Sequence, residues 1–207
     1  MASPRLLAGI TRFQDYFEEN RELFERLAAQ GQSPEALFIT CSDARVPPEM
    51  ITRIEPGELF VARNVANIVP PYGTGQMSMG ACIEYAVRHL RVEHIVICGH
   101  TDCGGIKALD TWPDWRQESH IARWIEYARP AKTKVGASGI PEEDRHLATV
   151  RENVILQLGH LRTYDPVREA ARAGSLTLHG WVYHVESGVV EIHDPETGEW
   201  SQPALDG

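Results

Sequence analysis

The sequence contains no apolar run approaching the ~20 residues that a membrane-spanning helix needs. Residues 1–7 include one Arg and no apolar stretch of signal-peptide length. These two absences predict a cytoplasmic protein without a membrane partner. Basic side chains are also scarce, since 20 Lys and Arg stand against 29 Asp and Glu, and the formal net charge is −9. A field of that sign repels phosphate backbones, so no nucleic-acid partner is expected.

Internal repeats and low-complexity segments are missing as well, and so are glycine loops of the Gly-x-Gly-x-x-Gly or Walker type. A nucleotide-binding α/β protein is therefore disfavoured. Cysteine is sparse, with four residues, Cys41, Cys82, Cys98 and Cys103, in a chain of 207. In a cytoplasmic protein such cysteines are poor disulfide candidates and serve better as metal ligands or core residues.

The apolar pattern predicts an α/β fold. Short apolar runs typical of buried strands alternate with helical periodicity, which favours a mostly parallel sheet flanked by helices. About four parallel strands are expected, at residues 36–40, 59–62, 94–98 and 176–185. A further run at residues 189–192 follows a Ser-Gly turn, so it is predicted as an antiparallel edge strand. The predicted helices of the core are residues 76–90, 142–161 and 165–174.

A single domain spanning residues 1–207 accounts for these elements. Apolar residues at three- and four-residue spacing predict an N-terminal helical arm over residues 1–31. The α/β core would cover residues 32–193, and the turn-rich residues 194–207 would form a surface tail.

Two short motifs carry the candidate chemistry. Cys-x-Asp-x-Arg occupies residues 41–45, directly after a predicted strand. Gly-His-x-x-Cys-Gly-Gly occupies residues 99–105, directly after another. Sites in open parallel sheets form outside the carboxyl ends of strands, so the fold can unite motifs that lie far apart in the chain. Two thiolates and one imidazole suit zinc, and three protein ligands leave a fourth position open, as in catalytic sites.

The sequence resembles the β-class carbonic anhydrases, whose signatures are these same two motifs. The similarity runs from about Phe13 to Val190. Further segments that look like the family are Gln32-Ser33-Pro34, Glu55-Pro56-Gly57-Glu58, Arg63-Asn64-Val65-Ala66-Asn67, Glu84-Tyr85-Ala86 and His179-Gly180-Trp181-Val182-Tyr183.

The resemblance implies a zinc-dependent carbonate dehydratase, which is a hydro-lyase that converts carbon dioxide reversibly to bicarbonate and a proton. It also implies a role in carbon utilization. Cys41, His100 and Cys103 would hold one Zn²⁺ per chain, and zinc-bound hydroxide would attack the carbon. Asp43 and Arg45 would be the catalytic residues that orient the hydroxide. In part of the family the same Asp ligates zinc and closes the site, so Asp43 is also a candidate fourth ligand.

The family pattern also implies a substrate site and an oligomer. The apolar part of that site would be small, with some residues contributed across a dimer interface, so the resemblance predicts a homodimer or homotetramer. Backbone N–H groups at the start of a helix would face the developing anion. The predicted substrate-binding residues are Gln32, Phe60, Val65, Tyr85, Gly104 and Gly105. Without the resemblance, Phe60, Val65 and Tyr85 would be interpreted as plain core residues.

Two alternatives stay open. A hydrolase of carbonyl sulfide or carbon disulfide with the same fold carries the same metal motifs, although the Gln32 segment and the segments at residues 55–57 and 63–67 look like the anhydrases. A non-catalytic zinc module would instead need a fourth protein ligand and a closed tetrahedron, which Asp43 could complete.

Overall fold

A computed structural model describes residues 3–111 and 117–203 of the chain. The chain divides into two compact units, Met1–Ser33 and Pro34–Gly207. The ends of the predicted arm and tail, residues 1–2 and 204–207, lie outside the described residues. The single-domain organisation stays a prediction.

The first unit is the predicted helical arm, built as two helices rather than one continuous stretch. They are α1 (Pro4–Glu19) and α2 (Arg21–Gln30). Asn20 interrupts the helical backbone with φ −116° and ψ 27°, and its side-chain amide donates to the carbonyl of Tyr16 at 2.8 Å. The ring of Phe17 stacks on that of Phe24 at 4.6 Å, which joins the two helices.

The second unit contains a sheet whose described strands follow the order β2-β1-β3-β4-β5-β6. The strands are β1 (Ala36–Cys41), β2 (Leu59–Asn64), β3 (His94–His100), β4 (Thr177–Tyr183), β5 (Val190–His193) and β6 (Trp200–Ser201). The first four pair in parallel and the last two antiparallel. The predicted fold class is confirmed. One detail differs, because β6 belongs to the sheet although residues 194–207 were expected to be a surface tail.

Helices and shorter turns connect these strands. The helices are α3 (Pro48–Thr52), α4 (Met77–Glu84), α5 (Gly104–Thr111), α6 (Ser119–Ile125), α7 (Arg129–Gly136), α8 (Arg145–Leu161) and α9 (Asp165–Arg172). Wider π-type turns continue α4 through Tyr85–Leu90, and 3₁₀ turns occupy Val65–Asn67, Glu126–Ala128 and Glu142–Asp144. In the described part of the chain, none of the helices has the length and apolar character to cross a membrane.

Helix α8 packs directly against the middle of the sheet. Two strand glycines permit this approach, because a Cβ on Gly99 would lie 2.9 Å from Val154 and one on Gly180 would lie 2.9 Å from the same side chain. Val154 is fully buried, as is Ile97 on β3. The close contact between helix and sheet forms the centre of the main core.

The same helix also holds the segment after β2 by polar contacts. The side-chain amide of Asn153 donates to the carbonyl of Ala66 at 3.1 Å, and Gln157 accepts from the amide of Val69 at 2.9 Å. Gln157 also donates to Asn153 at 2.8 Å, so the two buried amides satisfy each other. Ala66 has φ 63°, a left-handed conformation that a non-glycine residue adopts only when its surroundings require it.

We expect Gly180→Ala to lower the free energy of unfolding by about 1–3 kcal/mol, the usual range for an overpacked core. The new methyl group would overlap Val154 and press on Leu158 at 3.1 Å. Gly159→Ala is the matched control, since that glycine lies exposed on α8 with no atom within 4 Å of the added Cβ. The control should stabilise the helix by about 0.5–1 kcal/mol. Denaturant unfolding of both variants measures the difference, and equal effects would contradict the close packing.

Candidate metal centre

The parallel pairing of β1 with β3 brings the two sequence motifs together. Thr40 lies opposite Cys98 in the register, so Cys41 and His100 end neighbouring strands at the same edge of the sheet. Cys103 follows in the loop that leads from β3 into α5. The candidate ligand atoms of Cys41, His100 and Cys103 all lie within 4.8 Å of one another. These three buried residues form the candidate metal group.

The imidazole of His100 is oriented as a metal ligand would be. Its Nδ1 lies 2.8 Å from the carbonyl oxygen of Thr101, and a carbonyl only accepts, so Nδ1 carries the proton. The other nitrogen, Nε2, is then an acceptor. It is buried and has no hydrogen-bond partner. A buried imidazole nitrogen with a free lone pair beside two thiols fits zinc, whose histidine ligands commonly bond a carbonyl through the second nitrogen.

The cysteines separate into two kinds by their surroundings. Burial is the dominant influence on Cys98 and raises its pKa to about 12, and burial also raises the pKa of Cys82, as expected for core thiols. The pKa of Cys41 is instead held well below its ordinary value, chiefly by the adjacent Cys103 thiol. The amide of Ala66 donates to its sulfur at 3.4 Å.

Cys103 shows the cost of placing two thiols side by side. Its pKa is raised, first by its hydrogen bond with Cys41 and then by burial, because two adjacent thiolates repel each other. A divalent cation between the sulfurs removes that repulsion and allows both to ionise. The donor set therefore fits a zinc ion.

Asp43 and Arg45 form a bidentate ion pair at the edge of the cysteine and histidine group. Arg45 Nε donates to Asp43 Oδ1 at 2.9 Å and Arg45 Nη2 donates to Oδ2 at 2.7 Å. The backbone amide of Arg45 adds a third bond to Oδ1 at 2.9 Å. These contacts hold the pKa of Asp43 well below its usual range, with the Arg45 side chain as the largest cause. Asp43 Oδ2 also lies 3.9 Å from His100 Nε2.

The structure adds residues that the sequence analysis missed. Arg45 donates a further bond to Asp102 at 2.7 Å, and Lys107 also pairs with that carboxylate. Arg63 donates to the backbone carbonyls of Cys41 at 3.0 Å and of Asp43 at 2.6 Å. The motif at residues 100–105 contains Asp102, but its left-handed backbone at φ 56°, which determines its contacts, is not readable from the sequence.

The predicted apolar substrate residues do not gather at the metal group within one chain. Val65 follows Asn64, the register partner of Cys41, and is 37% exposed. Phe60 lies opposite Leu37. Leu37 precedes Cys41 by four positions, so Phe60 lies about 13 Å along the strand from the level of Cys41. Its ring contacts Tyr85, which is 45% exposed.

The remaining predicted substrate-binding residues are Gln32 and the two glycines at the start of α5. Gln32 belongs to the first unit and is exposed there, so its role stays a prediction. Gly105 lies buried in the first turn of α5, and the role of its amide toward the substrate anion stays a prediction. Gly104 begins α5 and is open, with nothing within 4 Å of an added Cβ.

Beside Val65 lies an open cavity of about 570 Å³ that other residues near the metal group also line. Ser42, Asn64, His120 and Trp124 are among its lining residues. The indole Nε1 of Trp124 donates to the carbonyl of Val65 at 2.8 Å, which fixes the cavity wall. No sequence pattern indicated Trp124, because its role depends on a contact 59 positions away.

Comparisons with known proteins agree with this geometry. The profile of the carbonic anhydrase family matches residues 36–190. The chain is 46% identical over 191 residues to a carbonic anhydrase of Pseudomonas aeruginosa, covering 91% of this chain and 86% of that protein. The structure of the β-carbonic anhydrase CcaA superposes with a TM-score of 0.91 at 37% identity, covering 96% of this chain and 91% of that one. One of two tetrameric β-carbonic anhydrases from Sordaria macrospora gives 0.79 at 31% identity, covering 91% and 94%.

The chain therefore belongs to the β-class carbonic anhydrases, enzymes that convert carbon dioxide reversibly to bicarbonate and a proton. The family and activity predicted from the two motifs are confirmed. The alternative, a hydrolase of carbonyl sulfide or carbon disulfide, is not favoured.

We expect Gly105→Ala to weaken metal retention while Gly104→Ala leaves it unchanged. A Cβ on Gly105 would lie 2.8 Å from Val65 Cγ1 and 2.9 Å from Ala66 Cβ, so the loop carrying Cys103 would have to shift. The neighbouring glycine has open space at the same position. Zinc content after dialysis against a chelator compares the two purified variants. Loss of zinc from both, or from neither, would show that close packing at Gly105 does not position Cys103.

Proposed function

We propose that this chain hydrates carbon dioxide with one zinc ion held by Cys41, His100 and Cys103. The observation that carries the proposal is the free, buried Nε2 of His100 within 4.8 Å of two thiol sulfurs. When bound, zinc would supply one kind of chemistry, the acidification of water that makes hydroxide available near neutral pH. The protein's own residues then have to orient that nucleophile and admit the substrate.

Asp43 would orient the attacking oxygen. An ionised carboxylate only accepts hydrogen bonds, so Asp43 can take the O–H of the nucleophile and direct its lone pair toward carbon. Arg45 keeps the carboxylate ionised and fixes its plane through two parallel bonds. Arg45 is itself held from the other side by Asp102. With its oxygens engaged in this way, Asp43 favours the open arrangement over service as a fourth ligand.

Substrate binding would involve apolar side chains and few polar groups, as a small apolar gas requires. Val65 borders the cavity beside the metal group, and we propose that it forms part of the carbon dioxide site. Phe60 and Tyr85 contact each other at a distance from that site. They would reach a metal centre only in a second chain, which makes the active site a product of dimerisation. Gln32 would supply a polar contact to the substrate.

A homodimer or homotetramer is the assembly we propose. The apolar side chains of the helical arm support it, since Leu6, Ile10 and Phe13 are each more than half exposed in the chain alone. One similar structure is described as tetrameric. Light scattering should give a mass of at least two chains, and a monomer would contradict the shared site. A cytoplasmic location also stays a prediction.

The decisive experiment for the function combines metal content with stopped-flow hydration of carbon dioxide. The wild type should hold one zinc per chain and be active. Cys41→Ala should lose both zinc and activity, to below about 1% of wild type, because one of three ligands is gone. Cys82→Ala is the matched control, as its thiol lies outside the ligand group, and it should keep zinc. Full activity in a metal-free Cys41→Ala protein would end the proposal.

Asp43→Asn should separate catalysis from metal binding. Zinc should stay bound, whereas kcat/KM should fall about 100-fold, the scale for losing one oriented electrostatic group. An amide can turn its NH₂ toward the nucleophile and no longer forms an ion pair with Arg45. Asp165→Asn, which removes an exposed carboxylate paired with Arg168, is the control and should be fully active. Unchanged kcat/KM in Asp43→Asn would exclude the orienting role.

A further inference from the structure

A row of polar side chains extends from the residue after His100 toward the surface. The Thr101 hydroxyl donates to Glu186 Oε2 at 2.6 Å. The other oxygen of Glu186 lies 3.2 Å from His184 Nδ1. His184 Nε2 in turn lies 3.3 Å from Glu191, which accepts from Arg151 at 2.6 Å. The chemistry described above makes no use of this row.

Thr101 is the link between the row and the metal group. Its carbonyl oxygen is the acceptor that fixes the proton on His100 Nδ1. Its amide donates to the carbonyl of Tyr183 at 3.0 Å, and its hydroxyl accepts from the amide of Val185 at 3.0 Å. The hydroxyl proton is therefore free to point outward, where Glu186 accepts it. A single residue thus joins the end of β3 to the segment that follows β4.

We propose that Glu186 is a positioning residue, which acts through the Thr101 hydroxyl to fix the carbonyl on His100 Nδ1 and so keeps Nε2 directed at the metal. The inference rests on the proposed zinc site. The side chain of Glu186 is 60% exposed, so a free carboxylate there would sample many rotamers. His184, only 14% exposed and set between Glu186 and Glu191, holds it in one of them.

In this geometry, the effect of Glu186 on His100 depends on the Thr101 hydroxyl, and this dependence can be measured. If Glu186 acts only through the Thr101 hydroxyl, removing either group should weaken the same hydrogen bond to His100. The two losses would then not add. A carboxylate that merely stabilised the turn near Glu186 would change the melting temperature without changing how tightly His100 binds metal.

The test measures the rate at which zinc leaves the loaded, full-length protein into an excess of a chromogenic chelator. Glu186→Ala and Thr101→Val should each release zinc about tenfold faster, the lower end of the effect of losing a partner that orients a histidine ligand. Thr101→Ser keeps the hydroxyl and should release zinc at close to the wild-type rate. The double variant Glu186→Ala/Thr101→Val should be no faster than Thr101→Val. Glu126→Ala, which removes an exposed carboxylate paired with Arg129, is the control.

A second readout follows the imidazole itself. In ¹⁵N-labelled protein, the proton on His100 Nδ1 should exchange with water faster in Glu186→Ala than in the wild type. Wild-type zinc release in both single variants, or additive effects in the double variant, would overturn the proposal. If Glu186→Ala does not fold, equal release from Thr101→Val and Thr101→Ser would overturn it equally well. A wild type that holds no zinc contradicts the proposed function itself, whereas zinc held equally by all variants contradicts only the positioning role.

Discussion

Two thiols and one imidazole confined within 4.8 Å form the constraint on which this molecule depends. Two adjacent thiolates repel, and a buried imidazole nitrogen without a partner is costly, so the group is incomplete without a cation. The surrounding contacts hold the two thiols and the imidazole in place, but they do not remove the repulsion or supply a partner for the imidazole nitrogen. Arg63 holds the backbone on the Cys41 side, and the Thr101 carbonyl holds His100.

The sheet and its covering helix provide the rigidity that such a site needs. Strands β1 and β3 bring the motifs to one edge, and α8 packs against the sheet through glycines that leave no room for a methyl group. Asn153 on the same helix holds Ala66, whose amide reaches the sulfur of Cys41. A core helix and a ligand are thus joined through one strained residue. We therefore expect metal binding to raise the stability of this fold.

Much of this architecture was predictable because it follows from local pattern. Apolar runs fixed the strands to within a few residues, and the rule that sites form at strand ends brought Cys41 and His100 together. The break at Asn20 was missed, since apolar periodicity continues across it. Strand β6 was also missed, because a strand of two residues is too short to show an apolar pattern. The contacts of Trp124, Arg63 and Glu186 could not be predicted, because their partners are remote in sequence. Trp124 and Arg63 bond backbone carbonyls, and Glu186 accepts from the Thr101 hydroxyl.

The most direct test of the account is X-ray absorption at the zinc edge of the purified protein. We predict one zinc per chain with two sulfur neighbours at about 2.3 Å and nitrogen or oxygen neighbours at about 2.0–2.1 Å. Cys103→Ser should reduce the sulfur count to one. A zinc with no sulfur neighbours, or a spectrum unchanged in Cys103→Ser, would contradict the assignment of the metal centre.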